Sequence, residues 1–375
     1  MSLDTANGDD ETDSGRREGA RARLRNTRVS ARTRHRLEFV GLGITGLFAL
    51  VMFVFVAFDW LQTLSGPLGS FGTAGFEQYR STGRWLDGQL GTRVFQHTFT
   101  LRAIATGVLV GIVGPLVGTF LIHRQMALIG ETLAHTAFAG VAIGIVAIAV
   151  TGMTASQENL VFVALVVSAL AALGLQWLTS RTQSYGDVPI AIVLTGSFAV
   201  GTLLISGFRD RIAIGIEIED FLFGDLAIVT AQGTRLVALL TIAVVALVVV
   251  NYKQFLFITF DEQAARVARF NVDSYNSLLI VMTAVVVVGA MQILGVILVA
   301  GLLVIPAAAA SQLAGSFRET LYLSVLFGQL SVLGGLGLAI GWSLAAGGSI
   351  IVVAIAVYVI AVLVSDRSAG GLSIH

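Results

Sequence analysis

Two residues of metal-binding types lie four positions apart in an otherwise apolar segment. Glu131 and His135 stand in the run GETLAH, residues 130–135. On a helix this spacing places both side chains on one face, and a carboxylate with a neutral imidazole is a suitable ligand pair for a divalent transition metal. Two ligands do not complete a metal site. The alternative interpretation is a polar patch at a helix end, in which Glu131 pairs with Arg124.

Three further candidate metal ligands lie near the ends of apolar segments, where polar residues are common. They are His97, Asp187 and Asp225. The chain has no cysteine, which excludes disulfides and thiolate sites. Histidine, carboxylates, methionine and backbone oxygens remain as possible ligands.

The composition indicates an integral membrane protein. Hydrophobic residues make up 55% of the chain and charged residues 12%, and the mean hydropathy of +0.86 is too high for a soluble domain. The formal net charge of zero gives no reason to expect nucleic acid as a partner. No arrangement of nucleophile, histidine and carboxylate argues for an enzyme. The single lysine, Lys253, excludes a phosphate-binding loop of the form GxxxxGK(S/T), so ATP-driven transport would need a separate subunit.

Apolar runs predict an all-α bundle of about ten transmembrane helices, because about 30 Å of hydrocarbon requires about 20 helical residues. The predicted spans are 39–61, 98–122, 127–151, 159–178, 188–207, 233–251, 277–294, 295–313, 320–341 and 347–364. If 277–313 is one helix, the count falls to nine. An even count, together with the arginine distribution, places both termini in the cytoplasm of a cell-membrane protein.

The segments outside these spans predict four regions. Residues 1–36 hold an acidic cluster and nine arginines and are expected to be a disordered cytoplasmic tail. Residues 37–92 hold the first span and an external loop, since 62–95 is rich in Gly, Ser and aromatics. The transport core is expected at 93–365, and 366–375 form a short tail. The acidic second external loop, 208–232, either concentrates cations at an entrance or is an ordinary solvated loop.

Small residues predict where helices pack closely in lipid. They are Gly107, Gly111, Gly114 and Gly118 in the second span and Gly140 and Gly144 in the third. A different element is expected between the sixth and seventh spans, where 260–270 has the pattern of a short amphipathic helix. It is either a docking element for a partner or an interfacial helix. Its candidate coupling residues are Phe260, Asp261, Ala264, Ala265, Arg266 and Arg269.

An ordered set of motifs resembles the membrane permeases of zinc, manganese and iron ABC importers, the ABC-3 family. The motifs are GPLVG at 114–118, RQMALIGETLAH at 124–135, LFGDL at 222–226, FDEQAAR at 260–266, QILGVIL at 292–298 and IPAA at 305–308. The resemblance covers roughly residues 93–365. Family members typically carry Asp where this chain has Glu131, whereas His135 matches directly.

The resemblance implies a type II ABC importer-like permease that works as a homodimer. Such a permease receives zinc, manganese or ferrous iron from an extracytoplasmic metal-binding protein and is opened by cytoplasmic ABC ATPase subunits that use ATP. It binds no permanent cofactor, and its metal is cargo that would pass Glu131 and His135. Two alternatives remain open: a permease for iron-siderophore or cobalamin, and an ion-coupled secondary metal transporter that works alone.

Overall fold

The computed structural model describes residues 41, 43–151, 157–181, 188–208, 229–342 and 344–370. Every regular element in these residues is a helix. The predicted arginine-rich tail at 1–36 and most of the acidic loop at 208–232 lie outside the described residues. Of the predicted C-terminal tail, 366–370 continue the last helix.

The helices are numbered here in chain order. They are α1 Gly43–Leu61, α2 Pro67–Leu90, α3 Thr98–His123, α4 Leu128–Thr151, α5 Gln157–Arg181, α6 Val188–Gly207, α7 Ala231–Val250, α8 Tyr252–Phe260, α9 Glu262–Val267, α10 Val272–Leu294, α11 Val296–Leu313, α12 Phe317–Trp342 and α13 Ala346–Gly370.

The predicted set of membrane spans is confirmed in the described chain. Eight helices are long and apolar enough to cross a membrane, and two shorter apolar helical stretches accompany them, Phe162–Leu178 in α5 and Leu298–Leu313 in α11. Each of these coincides with one of the ten predicted spans. The all-α polytopic bundle is therefore the observed architecture.

The two ends of the bundle are defined by residues from different helices that meet there. At one end His123 of α3 packs its ring 5.0 Å from Phe317 of α12 and 6.3 Å from Phe260 of α8, measured between ring centroids. We call this the short-helix end, because α8 and α9 lie there. At the other end Asp59 of α1 pairs with Arg102 of α3. We call that the ion-pair end.

The stretch 277–313 is divided into two helices at Gly295, and the chain reverses direction there. Gly295 has φ 81° and ψ 156°, a conformation that side chains other than glycine rarely adopt. At the start of α10, Val272 packs with Ile258 of α8, and α11 ends only four residues before Phe317. Both outer ends of this helix pair thus lie at the short-helix end.

Both ends of the described chain lie towards the short-helix end. α1 runs from Gly43 towards Asp59 at the ion-pair end. α12 starts at the short-helix end, and α13 returns antiparallel to it, because Gly335 of α12 lies against Ile350 of α13 while Gly334 lies against Val353. An even number of crossings follows from this arrangement.

α3 is the central helix of the bundle. Of its most apolar 18-residue stretch 89% is buried, against 17% for α6 and 22% for α1. A helix that is apolar all round suits such a position. α3 reaches it by close approach of backbones: a Cβ at Gly118 would overlap the carbonyl oxygen of Leu303 in α11, and a Cβ at Gly111 would lie 3.2 Å from the carbonyl oxygen of Gly328 in α12.

Three other predicted packing glycines also face a neighbouring helix, at distances that range from overlap to ordinary van der Waals contact. A Cβ at Gly107 would lie 2.7 Å from Val332, one at Gly114 would lie 3.6 Å from Leu302, and one at Gly140 would lie 2.8 Å from Ala164 of α5. Gly144 is buried within α4.

The prediction that 62–95 is a loop is wrong, because α2 occupies 24 of these residues. Pro67 starts the helix at a position where its missing N–H costs nothing. Aromatic side chains at helical spacing then pack along α1: Phe76 lies 5.7 Å from Phe55, and the Tyr79 hydroxyl donates to the carbonyl oxygen of Val51. The glycines and polar residues on the other side of α2 conceal this pattern in the sequence.

Asp87 joins the end of α2 to the start of α3. Its carboxylate accepts hydrogen bonds from the Thr92 hydroxyl and from the backbone N–H groups of Val94, Phe95 and Gln96. Burial alone would raise the pKa of Asp87, but these four bonds favour the ionised form and lower the pKa to about 2.

We expect Gly118→Ala to destabilise the protein, because its methyl group must push α3 away from α11. Overpacking of this kind costs about 1–3 kcal/mol. Gly337→Ala is the matched control, since Gly337 is a helical glycine of α12 with open space at its Cβ position. Thermal unfolding of the detergent-solubilised chain measures both. Equal melting temperatures for the two variants would contradict this account of α3.

Candidate metal pathway and coupling face

Glu131 and His135 lie on the first two turns of α4, close to the short-helix end. They are about 5 Å and about 10 Å along the helix axis from its first residue. Glu131 is exposed in the single chain and His135 is half-buried. The carboxylate lies within electrostatic range of the imidazole, and the position of Glu131 in the first helical turn suits a negative charge.

The imidazole of His135 is half-buried and is not fully hydrogen-bonded. Its Nδ1 is buried and has no hydrogen-bond partner. The ring is held in place by Phe198 of α6, whose ring centroid lies 5.2 Å away in an edge-to-face arrangement. Phe198 in turn stacks on Phe138 at 5.7 Å. Since buried polar atoms normally have partners, an orphaned imidazole nitrogen beside a carboxylate fits a transient metal contact.

The alternative pairing of Glu131 with Arg124 is not formed. The Arg124 guanidinium instead donates from Nε to the Thr259 hydroxyl of α8 at 3.0 Å and from Nη1 to the Asn276 side-chain oxygen of α10. Burial lowers the pKa of Arg124, and the nearby charge of Glu262 partly opposes that effect. Arg124 therefore connects the end of α3 to the short helices and leaves Glu131 without a cationic partner in the described chain.

The described residues hold no cluster of three or more His, Asp or Glu side chains that could bind a metal together. His97 caps the other end of α3, roughly 30 Å along the bundle from Glu131, and its ring stacks on Phe99. It cannot share a site with Glu131 and His135. Asp187 and Asp225 lie outside the described residues.

The predicted single helix at 260–270 is divided into two helices. α8 ends at Phe260, and Asp261 leaves the helical conformation with φ −147° and ψ 84°. Its carboxylate then caps α9 by accepting a hydrogen bond from the N–H of Ala264 at 2.8 Å. α9 ends at Val267, and Arg269 has φ 61°. The sequence pattern does not reveal this break, because Asp261 suits either a helix cap or the first turn of a longer helix.

One side of α9 is anchored and the other is exposed. Ala265 is fully buried against Ile258 of α8 and Val272 of α10. Arg266 is exposed and binds Glu262 at 2.8 Å and Asp273 at 2.9 Å. The hydrogen bonds to Asp273 and then to Glu262 are the main reasons why the pKa of Arg266 is raised.

Large apolar side chains are exposed in and beside α9 at the short-helix end. Val267 is 86% exposed and Phe260 is 63% exposed. Large apolar groups displayed among charged residues are typical of a docking surface. We call the surface formed by Phe260, α9 and Arg269 the coupling face.

Several residues that the structure connects to these sites have no signal in the sequence. Phe198 orients His135 from 63 positions away, and Thr259 and Asn276 bind Arg124 from 135 and 152 positions away. No local spacing pattern reports such contacts. Only the cation itself, Arg124, is visible as a charged residue directly after an apolar run.

Comparison with known proteins finds membrane proteins of manganese and zinc transport systems. The chain is 31% identical over 274 residues to the manganese transport system membrane protein MntC of Listeria monocytogenes, covering 73% of this chain and 93% of that protein. It is 26% identical over 265 residues to the high-affinity zinc uptake system membrane protein ZnuB of Haemophilus influenzae, covering 71% and 97%.

Solved structures show the same fold. PsaBC from Streptococcus pneumoniae, in complex with a Fab, matches with a TM-score of 0.61 and 29% identity, over 71% of this chain and 91% of that one. An inward-facing structure of a putative metal-chelate type ABC transporter matches with a TM-score of 0.57 at 15% identity, over 87% and 99%. The family model for the ABC 3 transport family matches residues 96–365, and the chain is therefore a member of the ABC 3 transport family.

Proposed function

We propose that this chain is the permease subunit of an ATP-driven importer of divalent transition-metal ions. The observation that carries the proposal is the pair on α4: an orphaned Nδ1 of His135 one helical turn from the unpaired carboxylate of Glu131. Family membership supports it, because relatives are named for manganese and zinc transport. The ligand pair suits manganese, zinc and ferrous iron alike.

The permease works as a homodimer with the metal passage between the two copies. Glu131 is exposed in one chain although it lies on a membrane helix, and an isolated carboxylate facing lipid is costly. A second copy related by a two-fold axis would cover it and double the ligand set to two carboxylates and two imidazoles. Four such ligands meet the needs of a transition metal that two ligands cannot meet.

The short-helix end faces the cytoplasm and receives the ATPase subunits. α1 begins towards this end and follows the segment with nine arginines between Arg16 and Arg36, as expected for a cytoplasmic flank. The coupling face supplies exposed apolar contacts there. An extracytoplasmic metal-binding protein delivers the ion at the ion-pair end. The chain catalyses no reaction itself and holds no permanent cofactor.

Arg124 connects the coupling face to the metal ligands. It binds α8 through Thr259 and α10 through Asn276, and it stands seven residues before Glu131 in the turn that leads into α4. Gln125 in this turn has φ 58°, which constrains the direction in which α4 starts. A displacement of α8 and α9 by a bound ATPase would therefore shift the start of α4, where the ligands lie.

Dependence on an ATPase separates this proposal from a secondary transporter that works alone. We expect the chain to co-purify with an ATPase subunit, and metal uptake by cells to stop when the phosphate-loop lysine of that partner is replaced. Uptake that survives this replacement would refute the proposal.

We expect Glu131→Gln and His135→Ala to abolish most metal stimulation of ATPase activity in the assembled complex, because each removes one ligand type. Loss of one metal ligand should lower the apparent metal affinity by about tenfold or more. Titrations with Mn²⁺, Zn²⁺ and Fe²⁺ measure this and identify the preferred ion. Glu131→Asp, which keeps the carboxylate, should retain most of the response.

His97→Ala is the distant control for these titrations, since His97 lies at the ion-pair end. Size-exclusion chromatography checks that each variant still assembles. An unchanged metal response in both Glu131→Gln and His135→Ala would contradict the ligand role.

We expect Arg124→Gln to uncouple ATP hydrolysis from transport. The variant should keep its ATPase partner but move several-fold less metal per ATP, because the turn before α4 loses its bonds to Thr259 of α8 and Asn276 of α10. Metal uptake and phosphate release, measured on the same proteoliposomes, give this ratio. Lys253→Gln removes one exposed charge at the same end and should leave the ratio unchanged. Equal ratios in both variants would contradict the proposed connection.

A further inference from the structure

A lateral groove of about 530 Å³ separates α1 from α7 near the ion-pair end. Its walls are almost entirely apolar, and both helices that form it are membrane spans. The walls include Val54, Ala57 and Trp60 from α1 and Ala238, Leu239 and Ile242 from α7. Arg235 is the one charged residue that lines the groove in the described chain.

Arg235 carries a positive charge that no described carboxylate neutralises. Its Nη2 donates to the backbone carbonyl oxygen of Asp59 at 2.9 Å, while its Nε is buried without a hydrogen-bond partner. The Asp59 carboxylate is already occupied, since it accepts bonds from Arg102 at 2.7 and 3.2 Å and from Gln62 at 2.8 Å. A guanidinium at membrane depth normally has an anionic partner.

The surroundings of Arg235 favour an anion with phosphate geometry. Arg235 lies in the second turn of α7, whose positive dipole end and N-cap residue Thr230 are close by. Guanidinium groups bind phosphate oxygens in a bidentate manner. Trp60 lines the same end of the groove and is 56% exposed, as is typical of an aromatic side chain at headgroup level.

The length and direction of the groove favour an acyl chain below that anion. From Arg235 to Ile242 the α7 wall extends about 10 Å along the helix, away from the ion-pair end and towards the bilayer centre. Leu239 is 65% exposed and Ile242 is 54% exposed, so this wall is open to lipid. A helix from another protein could cover the apolar wall but would offer no anion to the guanidinium group of Arg235.

We propose that this groove binds a phospholipid, with its phosphodiester at Arg235 and one acyl chain between α1 and α7. The site lies outside the proposed metal passage and coupling face. It gives the helix pair α1 and α2, which precedes the region matched by the family model, a lipid-mediated contact with the core. An anionic headgroup is preferred, because the local charge is a single uncompensated cation.

The test measures phospholipid retained by the full-length chain after extraction from its membrane. Native mass spectrometry should show a bound phospholipid, and exchange should favour phosphatidylglycerol over phosphatidylethanolamine. Arg235→Gln should reduce retention by about tenfold, the effect of losing one charge-assisted contact. Ala57→Trp should also reduce it by filling the groove while leaving Arg235 intact.

Two matched controls isolate the groove from general effects. Arg84→Gln removes an exposed charge on α2, and Leu50→Trp adds the same side chain to an exposed position of α1 that does not line the groove. Both should retain lipid as the unmodified chain does. Arg235→Lys, which keeps the charge, should recover part of the retention.

A photo-crosslinking residue at position 57 identifies the occupant in native membranes. A phospholipid adduct is expected. A polypeptide adduct would replace the proposal with a protein interface at this groove. Absence of retained lipid in the unmodified chain would overturn the proposal, and so would equal lipid retention by Arg235→Gln and the unmodified chain. If Ala57→Trp alone loses lipid, recognition of the phosphodiester by Arg235 is refuted.

Discussion

Close backbone contact around α3 is the constraint on which the other arrangements depend. Lipid offers no hydrophobic driving force for helix association, so contact area and small residues must supply it. Gly118 and Gly111 allow the carbonyl groups of α11 and α12 to approach α3 directly. The central position of α3 then determines where its two ends lie. One end carries Arg102 for the ion pair with Asp59, and the other carries Arg124 for the contacts with α8 and α10.

Polar groups in this bundle fall into two classes that have different consequences. Most are satisfied locally, as when Thr241 donates to the carbonyl oxygen of Val237 or Thr283 to that of Leu279. These bonds satisfy the hydroxyl donors within the helix and connect no other element. Buried groups without a partner are costly, and the Nδ1 of His135 and the Nε of Arg235 belong to this class. Both belong to side chains that are only partly buried and for which a ligand from outside the chain is proposed.

The two ends of the molecule differ in how firmly their surface elements are attached. At the short-helix end, α9 is anchored by buried Ala265 and by the bonds of Arg266 to Glu262 and Asp273. A displacement of α9 would therefore be transmitted to α10. At the ion-pair end, α1 is attached through Asp59 and through its aromatic contacts with α2, while most of its surface faces outward. Continuous contact from α9 to α4 suits coupling, whereas the sparse contact of α1 leaves room for lipid.

Hydropathy and helical periodicity alone determined the spans and the common face of Glu131 and His135, because bilayer thickness and the 3.6-residue repeat act locally. The sequence left 277–313 open as one helix or two, and the structure decided for two, with the break at Gly295. Only the tertiary structure decided that Arg124 binds Thr259 and Asn276, and that the ring of Phe198 packs against the imidazole of His135. The helix α2, which contradicted the expected loop, likewise depends on packing against α1. These features arise from contacts between residues distant in sequence, which no local pattern encodes.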